Sequence, residues 1–207
     1  MTVQPGQAIE NESFRIIRAE MGPHAFGAAE EAIAVRVIHA TADFDFVRTL
    51  RFSPGAVAAG VDALRGGGAI VSDVHMIEAG VSARLLDRLG GAIHCAIDAP
   101  AVYARAEREG TTRAVAAMRE LAPHVDGGIV AVGNAPTALY EVIRLMDEEA
   151  VRPALIVGVP VGFVRAVESK DALAALDVPH ITALGRKGGS TVAVAAINAM
   201  LRLALES

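Results

Sequence analysis

Short apolar runs rich in β-branched residues alternate with segments of helical spacing through the second half of the chain. The runs are "AIVSD" (69–73), "AIHCAID" (92–98), "GIVAVGN" (128–134), "ALIVGVP" (154–160) and "HITALG" (180–185). Between them, "PTALYEVIRLMDEE" brings Leu139, Ile143 and Met146 to one face. "TVAVAAINAMLRLALE" does the same for Val194, Ile197, Leu201 and Leu205. Strand–helix repetition predicts parallel pairing through right-handed crossovers. Strands that are apolar throughout predict helices on both faces of the sheet. The expected fold class is therefore α/β: a three-layer α/β/α arrangement with about five mostly parallel strands. The first 65 residues read differently, as three helices: "IENESFRIIRAEM", "GAAEEAIAVRVIHAT" and "PGAVAAGVDALRGG". With no Ser/Gly-rich linker behind them, they are an N-terminal helical elaboration of one domain spanning 1–207.

Composition narrows the function classes. Hydrophobic residues make up 53% of the 207, but the excess is alanine and valine. No apolar stretch approaches the roughly 18–20 residues that cross a bilayer, and "MTVQPGQAIENESF" lacks the features of a signal peptide. A cytoplasmic protein without membrane contact is expected. The single cysteine, Cys95, fits a reducing compartment and reads as a core residue of "GAIHCAI". A net charge of −5 with no basic stripe argues against nucleic acid. The alanine-rich "AVAAGVDAL" and "TVAVAAINAM" offer small apolar faces, on which a symmetric homodimer is expected.

Ligands of open parallel sheets sit outside the carboxyl ends of the strands. Three runs end there in glycine loops: "GNAPTAL" with Asn134, "GVPVGF", and "GRKGGST" with Arg186, Lys187 and Ser190. Each alone is ordinary strand-to-helix turn chemistry. Together they suggest an anion-binding rim built on helix N-termini. "GRKGGST" is not a P-loop, because Gly189 stands where the lysine belongs. No G-x-S-x-G elbow is present either. Metal ligation is weakly supported: the histidines are scattered, and only Asp73, His75 and Glu78 in "SDVHMIEAG" could face one site, so no metal is expected. His39, in the apolar "AVRVIHAT" (34–41), is either a satisfied core histidine or the group that carries the chemistry.

Eight segments in order resemble the precorrin-8X methylmutases and their cobalt-precorrin-8 counterparts of corrin-ring (vitamin B12) biosynthesis. They are "ESFRIIRAE", "RVIHATAD", "LRFSPGAV", "GGGAIVSDVHMIEAGV", "TTRAVAAM", "IVAVGNAPTAL", "PALIVGVPVGFVRAVESKDAL" and "LGRKGGSTVAVAAINAM". The resemblance implies a homodimeric isomerase that moves a methyl group from C-11 to C-12 of a tetrapyrrole, a 1,5-sigmatropic shift giving hydrogenobyrinate or cobyrinate. It needs no cofactor, and a hand-off to neighbouring pathway enzymes is a further implication. His39 falls on the family's catalytic histidine, Ser13 on a substrate-contacting serine, and Arg113 on an arginine near the macrocycle. Arg165 stands where the family often has a small residue.

The substrate implied is a macrocycle with several carboxylate arms. Arg113, Arg186 and Lys187 are its candidate counter-charges, with Arg15 and Arg36 behind them. Thr41, Asn134 and Ser190 complete the candidate binding set. Arg113 has a structural alternative, pairing with Glu109 at i−4 on one helix. Histidine suits the chemistry because it changes protonation near neutral pH. Protonating the conjugated ring lowers the barrier to migration. An apolar wall around His39 is expected to exclude water. A non-catalytic corrinoid carrier would use the same rim but would need no titrating group against the ring.

Overall fold

The computed structural model describes residues 5–206; the N-terminal stretch read for a targeting signal therefore lies partly outside the described residues, at 1–4. The elements follow in this order: α1 (Pro5–Glu20), α2 (Ala28–Thr41), α3 (Phe46–Thr49), β1 (Leu50–Phe52), α4 (Ala56–Arg65), β2 (Ile70–Ser72), α5 (His75–Gly80), α6 (Ala83–Arg88), β3 (Ile93–His94), α7 (Pro100–Glu109), α8 (Arg113–Glu120), α9 (Ala122–Val125), β4 (Ile129–Val132), α10 (Pro136–Glu148), β5 (Leu155–Gly158), α11 (Ala166–Ala174), β6 (His180–Ala183) and α12 (Ser190–Leu205). The strands form one six-stranded sheet in the order β1-β6-β5-β4-β2-β3.

Five strands pair in parallel, as the apolar runs predict. The sixth, β1, pairs antiparallel with β6, Leu50 opposite Ala183. Its three residues are too few for a period-2 pattern, so it was not among the expected strands. Every residue of β4, β5 and β6 is buried. The reason is the pleat: Ile129, Ala131, Leu155 and Val157 enter one core with α2, α4 and α12, while Val130, Val132 and Ile156 enter another with α8, α10 and α11.

Local signals explain the helix starts. Glu30 accepts the Gly27 N–H at 2.9 Å ahead of α2, Thr112 caps α8 by accepting the Val115 N–H, and proline opens α7 and α10. In α10 the buried face is Leu139, Val142, Leu145 and Met146, with Ile143 only half-buried. α12 is buried nearly all round, between the sheet and α2 and α4.

Small residues make that close packing feasible. A side chain at Gly60 of α4 would stand 2.6 Å from Leu155 Cδ2 and 2.8 Å from Met200 Sδ. The alanine faces proposed for a dimer are thus spent inside the protomer, and that argument for a dimer falls. Exposed apolar side chains lie elsewhere, above all Phe163 (83% exposed) and Val164 (80%) in the loop after β5. Among the described residues, no helix is long and apolar enough to cross a membrane.

Candidate active site

The strand order reverses between β2 and β4, which opens the crevice where such sheets bind ligands. Here the chain fills it. Asp73, following β2, is buried, and its carboxylate accepts N–H groups from Gly133 (3.0 Å), Asn134 (2.8 Å) and Ala135 (2.7 Å) at the start of α10. Burial pushes the Asp73 carboxyl up, against the lowering effect of those three donors. Asp73 therefore faces the α10 N-terminus and not His75 and Glu78, and the Asn134 backbone donor is already used. The Asn134 side chain is exposed.

His39 lies in the last turn of α2, where Ala42 ends the helix in the left-handed region at φ 52°. It is exposed, so the expected water-excluding wall is not provided by the single chain. Its apolar neighbour is Phe14 of α1, edge-on at 5.2 Å between ring centroids. The Arg36 guanidinium lies over the Phe14 ring and pairs with Glu10. Ser13, Ile16, Glu20 and Phe44 join His39 around a cleft of about 240 Å³ between α1 and the end of α2. That is below the roughly 300–1,000 Å³ that encloses a drug-sized ligand, so the single chain does not enclose a ligand of that size here. Ser13 donates its hydroxyl hydrogen to the Ile9 carbonyl, which leaves its oxygen free to accept.

The structure thus brings Ser13 and His39 together. Thr41, next to them, is engaged in its own turn: it donates to the Val37 carbonyl and accepts from the Asp43 N–H. Arg15 is bound to Glu12 at 2.6 Å and does not line the cleft. Lys187 reaches the turn after α2, where Asp43 and Asp45 each hold its ammonium at 2.6 Å and raise its pKa. Its charge is already balanced. Ser190 is buried at the start of α12, which opens with no side-chain cap.

Arg113 sits on the other face of the sheet from His39, since α8 packs into the second core. Glu109 is not its partner; that carboxylate binds Arg105 and Arg119. Arg113 instead lies over the Tyr103 ring at 4.9 Å and donates to its hydroxyl. Arg186 lies over Phe163 at 5.3 Å, and Arg165 over Tyr140 at 4.6 Å. Among the described residues, none of these three arginines has a carboxylate partner within 4.0 Å. Arg165, at φ 61° just before α11, was noted in the sequence only as a departure; its aromatic support comes from a helix 25 residues away.

A model of the family described as CbiC, precorrin-8X methylmutase, matches residues 8–203. The chain belongs to this family. A cobalt-precorrin-8 methylmutase of Priestia megaterium is 50% identical over 204 residues, covering 99% of this chain and 90% of the relative. A precorrin-8X methylmutase of Pseudomonas aeruginosa is 46% identical and covers 96% of each. A crystal structure of precorrin-8x methyl mutase from Thermus thermophilus superposes with a TM-score of 0.90 at 46% identity, covering 96% of each chain. This methylmutase is an isomerase of corrin biosynthesis, and its relatives carry both the cobalt-precorrin-8 and the precorrin-8X name.

Proposed function

We propose that the enzyme moves a methyl group from C-11 to C-12 of precorrin-8X or cobalt-precorrin-8, with His39 as general acid. One observation carries the reading: an exposed imidazole stands at the mouth of an apolar cleft, braced edge-on by Phe14, in a chain of this family. The migrating carbon stays within the substrate, so no external nucleophile is needed. A proton delivered to the conjugated macrocycle withdraws electron density as the methyl departs. General acid catalysis of this kind contributes typically about 10²–10⁴ in rate. Ser13, across the cleft, positions the ring edge.

The carboxylate arms are met by Arg186 and Arg165 and, from the other chain of a homodimer, by Arg113; each rests on an aromatic ring and, among the described residues, has no carboxylate within 4.0 Å. Arginine can take such an arm through two parallel N–H bonds. The uncapped start of α12 at Ser190 offers a further anion site. Lys187 serves to tie the turn after His39 to the loop before α12.

The working form is a homodimer in the cytoplasm. Support comes from the exposed Phe163 and Val164, and from a cleft too small to enclose the ring in one chain. Light scattering at micromolar concentration should give twice the 21.4 kDa chain mass; the chain mass would contradict the dimer. Offering both substrates, with and without cobalt, tests the reaction. Conversion followed by corrinoid absorbance supports it, and the faster substrate is the natural one. Binding without conversion would identify a carrier.

A further inference from the structure

At the carboxyl ends of β2 and β3, on residues that do not line the His39 cleft, three unlike donors meet. His75 and Glu78 stand at i and i+3 in α5 and so share a face. Parallel pairing sets Val71 of β2 opposite His94 of β3, and the next residue, Cys95, emerges level with Ser72. One donor atom each from His75, Glu78 and Cys95 lie within 4.8 Å of one another. Cys95 is half-buried there, at the end of its strand, and not the core residue its apolar run suggested. His75 is held at both ring nitrogens: Nδ1 is 2.6 Å from Glu78 Oε2 and Nε2 is 2.7 Å from Asp98 Oδ1.

An imidazole turned toward other donors on one side and gripped by a carboxylate on the other is how metal-ligating histidines are commonly fixed. We propose that His75, Glu78 and Cys95 bind a thiolate-accepting divalent ion, zinc or cobalt(II), with Asp98 orienting His75 and water in the fourth position. A mixed nitrogen, oxygen and sulfur set suits these ions; magnesium and calcium take oxygen. Tetrahedral binding places donors about 3.3–3.7 Å apart. The donor atoms, already within 4.8 Å of one another, would close to this spacing around the ion, and exposed His75 provides the entry path. On binding, Cys95 gives up its thiol proton and the proton between His75 and Glu78 leaves to solvent. Nε2–H stays bonded to Asp98. The ion clips the segment after β3, a strand joined to the sheet by only two residue pairs, to α5.

The test is titration of untagged full-length protein, free of substrate, with cobalt(II), read by the thiolate-to-cobalt charge-transfer absorbance. Competition against a chelator for zinc gives the affinity. One equivalent per chain is expected, with a raised Tm. Cys95→Ser and His75→Ala should each weaken binding by about 100-fold or more, and Asp98→Asn by about 10–100-fold. His75→Ala removes an exposed side chain, so it tests the site without threatening the fold. Absence of the charge-transfer band, or equal binding by Cys95→Ser, would overturn the proposal.

Discussion

Two glycine loops at the carboxyl edge of the sheet look alike in sequence and are built in opposite ways. The loop at 133–135 is held from below by a buried anion: Asp73 takes its three N–H groups. The loop at 185–189 is held from below by a buried cation: Lys170, fully buried, donates from Nζ to the Lys187 carbonyl at 2.7 Å. The first arrangement closes a helix N-terminus to ligands. The second fixes the main chain by a carbonyl and leaves the N-terminus of α12 uncapped. The glycines serve close packing. A side chain at Gly133 would stand 2.7 Å from Ser190 Cα, and one at Gly188 would stand 2.3 Å from the Val159 carbonyl oxygen. A glycine loop before a helix is therefore no measure of an anion site until the group beneath it is known.

The most severe way to break this comparison is Asp73→Ala. Three donors at the α10 N-terminus lose their acceptor at once, and a buried unsatisfied donor costs about 1–3 kcal/mol. A loss of about 3 kcal/mol or more is expected in denaturant unfolding; unchanged stability would mean that the two loops are equivalent.

The pH dependence sharpens the contrast. Burial pulls the Lys170 ammonium down from its ordinary value near 10.5 to about 8. Between those values the unfolded chain holds a proton that the folded chain has released, so folding stability rises with pH across that window. The expected rise is at most about 3.5 kcal/mol, since one unit corresponds to about 1.4 kcal/mol. Lys170→Met should lack this part of the rise. Identical stability–pH curves for wild type and Lys170→Met would place the ammonium in solvent.

Arg113→Ala is expected to weaken substrate binding by about 1.5–3 kcal/mol, the range for hydrogen bonds to charged groups. Added salt should weaken wild-type binding more steeply than that of the mutant. Equal affinity and equal salt slope would remove Arg113 from the site. Lys187→Met should change affinity least, because Asp43 and Asp45 already hold its ammonium. A loss matching that of Arg113→Ala would show that Lys187 leaves those acids for the substrate.

The layered architecture was legible because buried parallel strands are apolar on both faces, and "GIVAV" and "ALIV" carry that signature in four or five residues. β1 escaped because "LRF" is too short to show a pattern and gains its place only by pairing with β6, some 130 residues on. At the site, Ser13 and His39 could be paired through family resemblance, and the structure places both on one cleft. The state of each charge was not legible. Asp73 looked like a companion of His75 from two positions away, yet its donors lie about sixty residues further along. Lys187 looked free, but its acids come from the turn after α2. Arg165 looked incidental until Tyr140 was seen beneath it. Charge partners are set by tertiary contacts, which local spacing does not encode.

The central claim is that His39 delivers the proton for methyl migration. The direct measurement is single-turnover conversion by His39→Ala at saturating substrate, followed by corrinoid absorbance. The account predicts a rate lower by about 10²–10⁴, with substrate affinity changed only a few-fold and the fold intact. Conversion at the wild-type rate would contradict it.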